Sequence, residues 1–277
     1  MQGVTGSREW GRIAVPMAGL TGDAARIAAA ATVAEAFEAE LAALFAPPDP
    51  AELSPWLGES FGGGMSAGLV DTLADAAREG GRAALAAFEA LPYPNKRFEA
   101  LSSPIWRSIA IECRLADLVV FDDAASKGSG PFAETFEQAL IEERAAVLVT
   151  REPLDWRAPA VVAWDGSDGA SRAARRAVPL LRRARQVVIA GAPVAERPSA
   201  LSQLKAYYDL RGITAEVRDL PATGADTAAA ILELAGSAGA GLVVAGAFGR
   251  SRLREFIFGG ATRVLLQAAR PSLFLAH

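Results

Sequence analysis

The stretch Ala240–His277, AGLVVAGAFGRSRLREFIFGGATRVLLQAARPSLFLAH, decides how the rest of the chain is read. It opens on an apolar run, Leu242–Ala245, of the kind that forms a strand buried on both faces of a parallel sheet. Gly246 and Gly249 follow, residues that leave backbone amides uncovered and tolerate positive φ. After nine more residues come Gly259 and Gly260, then a helical pattern over Ala261–Ala268 and a closing apolar run, Leu273–Leu275. A strand, a glycine loop with the spacing G-x-x-G-x9-G-G and a helix start together present bare N–H groups to a phosphate.

Upstream of this stretch, strands and helices alternate. Strands are expected over Ala160–Trp164, Gln186–Ala190 and Ile213–Arg218, and helices over Ser167–Leu181, Ser199–Leu210 and Thr223–Ala235. The first half repeats the plan. Strands are expected over Arg12–Met17, Glu40–Phe45, Arg97–Leu101, Asp117–Phe121 and Val147–Thr150. Helices are expected over Asp23–Ala39, Leu69–Ala90, Ile105–Arg114 and Phe132–Glu143, with a loop rich in Pro and Gly over Ala46–Gly64. The segments before the fourth and fifth strands align between the halves, ADLVV with AGLVV and RAAVLV with RPSLFL. The chain therefore reads as an internal duplication, residues 1–153 and 154–277, joined by a linker near Glu152–Pro159. Alternation with short loops implies two α/β units, each a parallel sheet covered on both faces.

Composition narrows the function classes. The net charge of −4 hides an asymmetry. Residues through Pro153 hold 12 Lys/Arg against 22 Asp/Glu, and the remainder 16 against 10, so the half with the glycine loop is the basic one. For Arg172, Arg175, Arg176, Arg182, Arg183 and Arg185 a solvated helix face is the plainer reading. One cysteine, Cys113, and one histidine, His277, leave no Ser-His-Asp, Cys-His or clustered His/Cys metal site. His277, as the last residue, is expected to fray. There is no G-x-x-x-x-G-K-[ST], and no G-x-G-x-x-G follows an expected strand. No leader pattern, membrane-length apolar run or basic–aromatic stretch is present, so a cytoplasmic chain without membrane or nucleic-acid partners is expected.

The spacing from Gly246 to Gly260 resembles the nucleotide loop of the universal stress protein family, G-x-x-G-x9-G-[S/T]. The segment VVAWDGSDGASRAARRA, with Asp165, Gly166 and Ser167 after an apolar run, is similar to that family's first-strand motif. The resemblance implies a tandem member: two doubly wound, Rossmann-like domains of the adenine nucleotide alpha hydrolase-like class, with five-stranded parallel sheets in the order 3-2-1-4-5. It implies an adenine-nucleotide-binding stress-response regulator, holding ATP, AMP or ADP with any Mg2+ carried by the phosphates, and at most weak ATP hydrolysis. The implied ligand set is Asp165, Gly166, Ser167, Ala190, Gly191, Gly246, Gly249, Arg250, Gly259, Gly260, Ala261 and Thr262. Read without the family, Ser167 is an N-cap, Asp165-Gly166 a turn and Arg250 a solvated loop charge.

Gly260 departs from the family pattern, which has Ser or Thr there; Thr262 is a partial substitute. The first repeat has Asp122 and Ala125 where the second has Gly246 and Gly249. It is therefore expected to be degenerate, with Asp122 and Asp123 repelling a polyphosphate. Family members pair through the closing edge strand, so an intrachain pseudo-dimer, Val147–Thr150 beside Leu273–Ala276, is expected, with a further homodimer open. The alternative is a scaffold of the same family that no longer uses nucleotide, with Trp56 and Phe61 in the Ala46–Gly64 loop as contacts or as a lid.

Overall fold

A computed structural model describes residues 9–46, 67–101, 105–151, 154–192, 200–220, 225–247 and 260–277. The strands are β1 (Arg12–Met17), β2 (Glu40–Phe45), β3 (Lys96–Ala100), β4 (Leu118–Asp122), β5 (Val147–Thr150), β6 (Ala160–Ala163), β7 (Val187–Gly191), β8 (Ala215–Asp219), β9 (Leu242–Gly246) and β10 (Ser272–Ala276). The helices are α1 (Asp23–Phe37), α2 (Ala67–Glu89), α3 (Ile105–Glu112), α4 (Asp123–Ser126), α5 (Ala133–Ile141), α6 (Asp168–Arg176), α7 (Val178–Leu181), α8 (Ala200–Asp209), α9 (Ala225–Ser237) and α10 (Gly260–Gln267). Strand order is β3-β2-β1-β4-β5 in the first repeat and β8-β7-β6-β9-β10 in the second, the expected doubly wound fold in tandem.

Two compact units result: residues 1–121 with 128–143, and residues 122–127 with 144–277. In the first, β1 runs parallel to β2 and β4, and β2 to β3. The residues of α1 that face the sheet follow the helical repeat, with Asp23, Arg26, Ile27, Ala30, Val33, Ala34 and Phe37 all buried. Phe121 at the end of β4 meets Phe136 of α5 edge-on, ring centroids 5.4 Å apart.

In the second unit β6 runs parallel to β7 and β9, β7 to β8, and β9 to β10. β5, the closing strand of the first repeat, pairs antiparallel with β10, the closing strand of the second; Leu148 lies opposite Phe274. Each would otherwise be an exposed edge, so the pairing removes two templates for aggregation at once. Arg151 fastens this seam. Its guanidinium, 1% exposed, donates from Nε to Asp123 (2.8 Å). It donates from Nη1 to the Pro271 carbonyl (3.0 Å) and from Nη2 to the carbonyls of Leu265 (3.0 Å) and Leu266 (2.7 Å). Those last carbonyls end α10, where a cation also complements the helix dipole. Burial pulls the Arg151 pKa down, and Asp123 opposes that by bonding the charged form.

Two differences from the sequence reading have local causes. The single helix expected over Ser167–Leu181 is two, α6 and α7, and Pro179 sits at the start of the second. A proline lacks the N–H for the preceding turn, so the helix breaks and restarts around it. The short α4 was not anticipated; the Asp122 carboxylate caps it, accepting from the Ala125 amide at 2.9 Å.

Replacing Arg151 by Met leaves three buried carbonyls unpaired and Asp123 without its strongest partner. Urea denaturation is expected to show a loss of about 2–4 kcal/mol, against no change for the exposed Arg175→Met. Stability should also fall in alkali. Burial pushes the Cys113 thiol and the Tyr208 phenol up from the ordinary values of 9.0 and 10.0. The unfolded chain then sheds protons that the native chain keeps. The urea midpoint should be flat below about pH 9 and decline above it.

Candidate functional site

The carboxyl ends of β6, β7 and β9 converge where an open α/β sheet places a ligand. Beyond β6 the chain makes a turn built by its own side chains. Asp165 Oδ1 accepts from the Ser167 amide at 2.9 Å, and Gly166 has φ 71°. Ser167 Oγ then accepts from the Ala170 amide at 3.2 Å, capping α6. Asp165 remains exposed.

The first turn of α6 lies hard against the end of β9. A Cβ on Gly246 would stand 2.3 Å from the Ala170 nitrogen, and one on Gly169 would stand 2.8 Å from the Ala247 carbonyl oxygen. Gly246 is therefore required by close approach of helix and strand; it is not among the positive-φ residues. The Ala247 amide, next along, donates to the Ala276 carbonyl (2.9 Å), and His277 Nδ1 lies 3.1 Å from the Ala247 carbonyl oxygen. The histidine expected to fray is thus held against the end of β9.

At β7 the Ala190 carbonyl accepts from the Trp164 amide (2.8 Å) and the Gly191 carbonyl from the Leu220 amide (2.9 Å). A Cβ on Gly191 would lie 2.0 Å from the Trp164 carbonyl oxygen, so only glycine fits. The sequence reading passed over two residues here. Gly169 could have been found from a second glycine at a helix start, where local conformation does not ask for one. Trp164 carries a buried indole N–H with no hydrogen-bond partner among the described residues, beside Asp165 at the end of β6; nothing in the sequence marks that.

Gly260 opens α10 and is exposed, with nothing within 4 Å of where its side chain would stand. Ala261 is half-buried and Thr262 buried. Gly249, Arg250 and Gly259, with residues 47–64 of the first repeat's loop, lie outside the described residues. Among the described residues no group of three or more His, Cys, Asp or Glu could hold a metal, and no helix is long and apolar enough to cross a membrane.

The first repeat fills its corresponding position with an ion pair. The Asp23 carboxylate, 4% exposed, accepts from the amides of Ala18 (3.1 Å) and Gly19 (2.7 Å). Arg26, 5% exposed, donates Nη1 to Asp23 (2.7 Å) and to the Pro16 carbonyl (3.1 Å), its guanidinium 4.6 Å from the Phe132 ring centre. The amides after β1 are consumed by the chain itself. Asp122, expected with Asp123 to repel a polyphosphate, also caps a helix, and Asp123 pairs with Arg151 and Lys127.

No protein-family model matches the chain, and no curated protein does. Among solved structures it is similar to a universal stress protein from Archaeoglobus fulgidus DSM 4304, with 15% identity and a TM-score of 0.67 over 97% of this chain and 96% of the other. It is also similar to a functionally unknown protein from Pseudomonas aeruginosa PAO1, with 14% identity and a TM-score of 0.55 over 95% and 91%. At these identities the likeness establishes a shared fold along nearly the whole chain.

The two kinds of glycine separate by mutation. Gly246→Ala drives a methyl into backbone and should cost about 3 kcal/mol. Gly260→Ala meets open space in a helix and should stabilise by up to about 1 kcal/mol. Thermal unfolding of the two variants beside the parent checks the contrast.

Proposed function

From the fold it shares with a universal stress protein, we propose that this chain is a tandem member of that family whose second repeat binds an adenine nucleotide in a regulatory, stress-response role. The observation that carries the reading is the open start of α10. Gly260 is exposed with free space around it, so the first-turn amides have room for a phosphate, in the basic half of the chain. Trp164 adds to it: a buried indole N–H without an acceptor among the described residues is a donor that a base or ribose could satisfy. Asp165 keeps one carboxylate oxygen beyond its turn contact and is exposed, which suits a ribose hydroxyl. Gly246, Gly169 and Gly191 act behind the ligand, as close-packing positions that set the distance between strand ends and α6. Gly249, Arg250, Gly259, Ala261 and Thr262 complete the phosphate side in this proposal. Mg2+, when it accompanies ATP, is carried by phosphate oxygens and water. The first repeat does not bind nucleotide, because Asp23 occupies its strand-end amides and Arg26 is buried against that carboxylate.

The second reading is a scaffold of the same fold. Its motivation is specific: the Ala247 amide, the Asp165 carboxylate and the Ala190 and Gly191 carbonyls all have protein partners already.

Titration calorimetry with ATP and AMP on two variants separates the readings. Gly260→Asp puts an acidic side chain in the first turn of α10, which helps the helix and repels phosphate. ATP affinity should fall about tenfold or more with the melting temperature unchanged or raised. Trp164→Phe removes the orphan donor and should weaken binding several-fold without unfolding the chain. Absence of binding heat from the parent at millimolar ATP and AMP would favour the scaffold.

A further inference from the structure

A second cavity lies at the opposite end of the second unit's sheet, at the amino ends of β6 and β7. Leu154, Asp155, Trp156, Arg157 and Arg183 line it, and its volume is about 390 Å3, within the range of small-molecule sites. Its floor is a built turn. The Ala158 amide donates to the Asp155 carbonyl (3.0 Å), and Asp155 Oδ1 accepts from the Arg157 amide (2.9 Å). The Arg157 carbonyl accepts from the Arg185 amide (3.0 Å), tying the turn to the segment that carries Arg183. Gly241 lies against the same turn: its amide donates to the Pro159 carbonyl (3.0 Å), and a Cβ there would stand 2.9 Å from the Ala158 side chain.

The lining holds two arginines and one carboxylate, Asp155, so it carries net positive charge, and that carboxylate already serves the backbone. The Arg157 side chain has no ion-pair partner among the described residues. A guanidinium fork and an indole ring lining one cavity match a ligand with a carboxylate at one end and a flat ring at the other. Polyphosphate does not fit this end, because the turn amides of Arg157 and Ala158 are already spent on Asp155. An inorganic anion would make no use of the apolar part of the lining, Trp156 and Leu154.

We propose that this cavity binds a small aromatic carboxylate, the carboxylate held by Arg157 and Arg183 and the ring against Trp156. The site is separate from the nucleotide crevice, and it stands whether or not the second repeat binds nucleotide.

Saturation-transfer NMR on the full chain tests this with benzoate, cyclohexanecarboxylate and inorganic phosphate as probes. Benzoate should bind saturably in the millimolar range, and cyclohexanecarboxylate should bind several-fold more weakly. Neither phosphate nor ATP should displace benzoate. Arg157→Gln, which keeps the turn because the turn uses the backbone amide, should weaken benzoate about tenfold. Trp156→Leu should remove the preference for the aromatic ring. Three outcomes overturn the proposal: no saturable benzoate binding, equal affinity in the parent and Arg157→Gln, or displacement of benzoate by phosphate.

Discussion

The contact between Gly246 at the end of β9 and the first turn of α6 is the constraint on which the second repeat's site depends. Neither Gly246 nor Gly169 has a side chain, and neither could: a Cβ on one would reach backbone at 2.3 Å and a Cβ on the other at 2.8 Å. Bringing helix and strand this close fixes where the Asp165–Ser167 turn emerges from β6 relative to β9. The capping bond from Ala170 to Ser167 holds the same helix turn from the other side. Three short-range requirements therefore settle the geometry at the strand ends before any ligand is considered: a glycine pair, a cap and a turn.

The two repeats use the same architecture for opposite ends. After β1 the backbone amides of Ala18 and Gly19 bind the chain's own Asp23, and Arg26 is buried with it under Phe132. A buried carboxylate thus takes up these strand-end amides, which is why the proposed function leaves this repeat without nucleotide. After β6 the corresponding turn leaves Asp165 exposed, and none of the described residues crowds the position of a Gly260 side chain at the start of α10. The first repeat also supplies β5 and Arg151, which clamp β10 and the last turn of α10. In the proposed reading, one copy supports and the other presents the site.

The fold was largely legible in the sequence because β-strands buried on both faces are written as unbroken apolar runs. Val161–Val162, Val187–Ile189 and Leu242–Ala245 all came out as strands. The pairing of β5 with β10 was implied by the family resemblance, and its antiparallel direction is seen only in the structure. The site was less legible, and the reasons are physical. Periodicity shows which face of a helix is apolar, but not that a glycine answers to a neighbouring element, so Gly246 read as a flexible phosphate residue when its local role is packing. Asp23 and Arg26 stand in an Ala-rich helix pattern that singles out neither. Only three-dimensional proximity of Pro16, Gly19 and Phe132 shows them to be a plug. Asp122 and Asp123 gave a charge argument, and their bonds to Ala125, Lys127 and Arg151 are seen only in the structure. The break between α6 and α7, by contrast, was readable at Pro179.

The central claim is that an adenine nucleotide enters one repeat and is kept out of the other. Photolabelling the full chain with an 8-azido adenine nucleotide, followed by peptide mapping, tests it most directly. The account predicts label confined to peptides from residues 154–277 and removed by excess unlabelled ATP. Label spread equally over peptides from residues 9–46 and 118–151, or label that ATP does not displace, would contradict it.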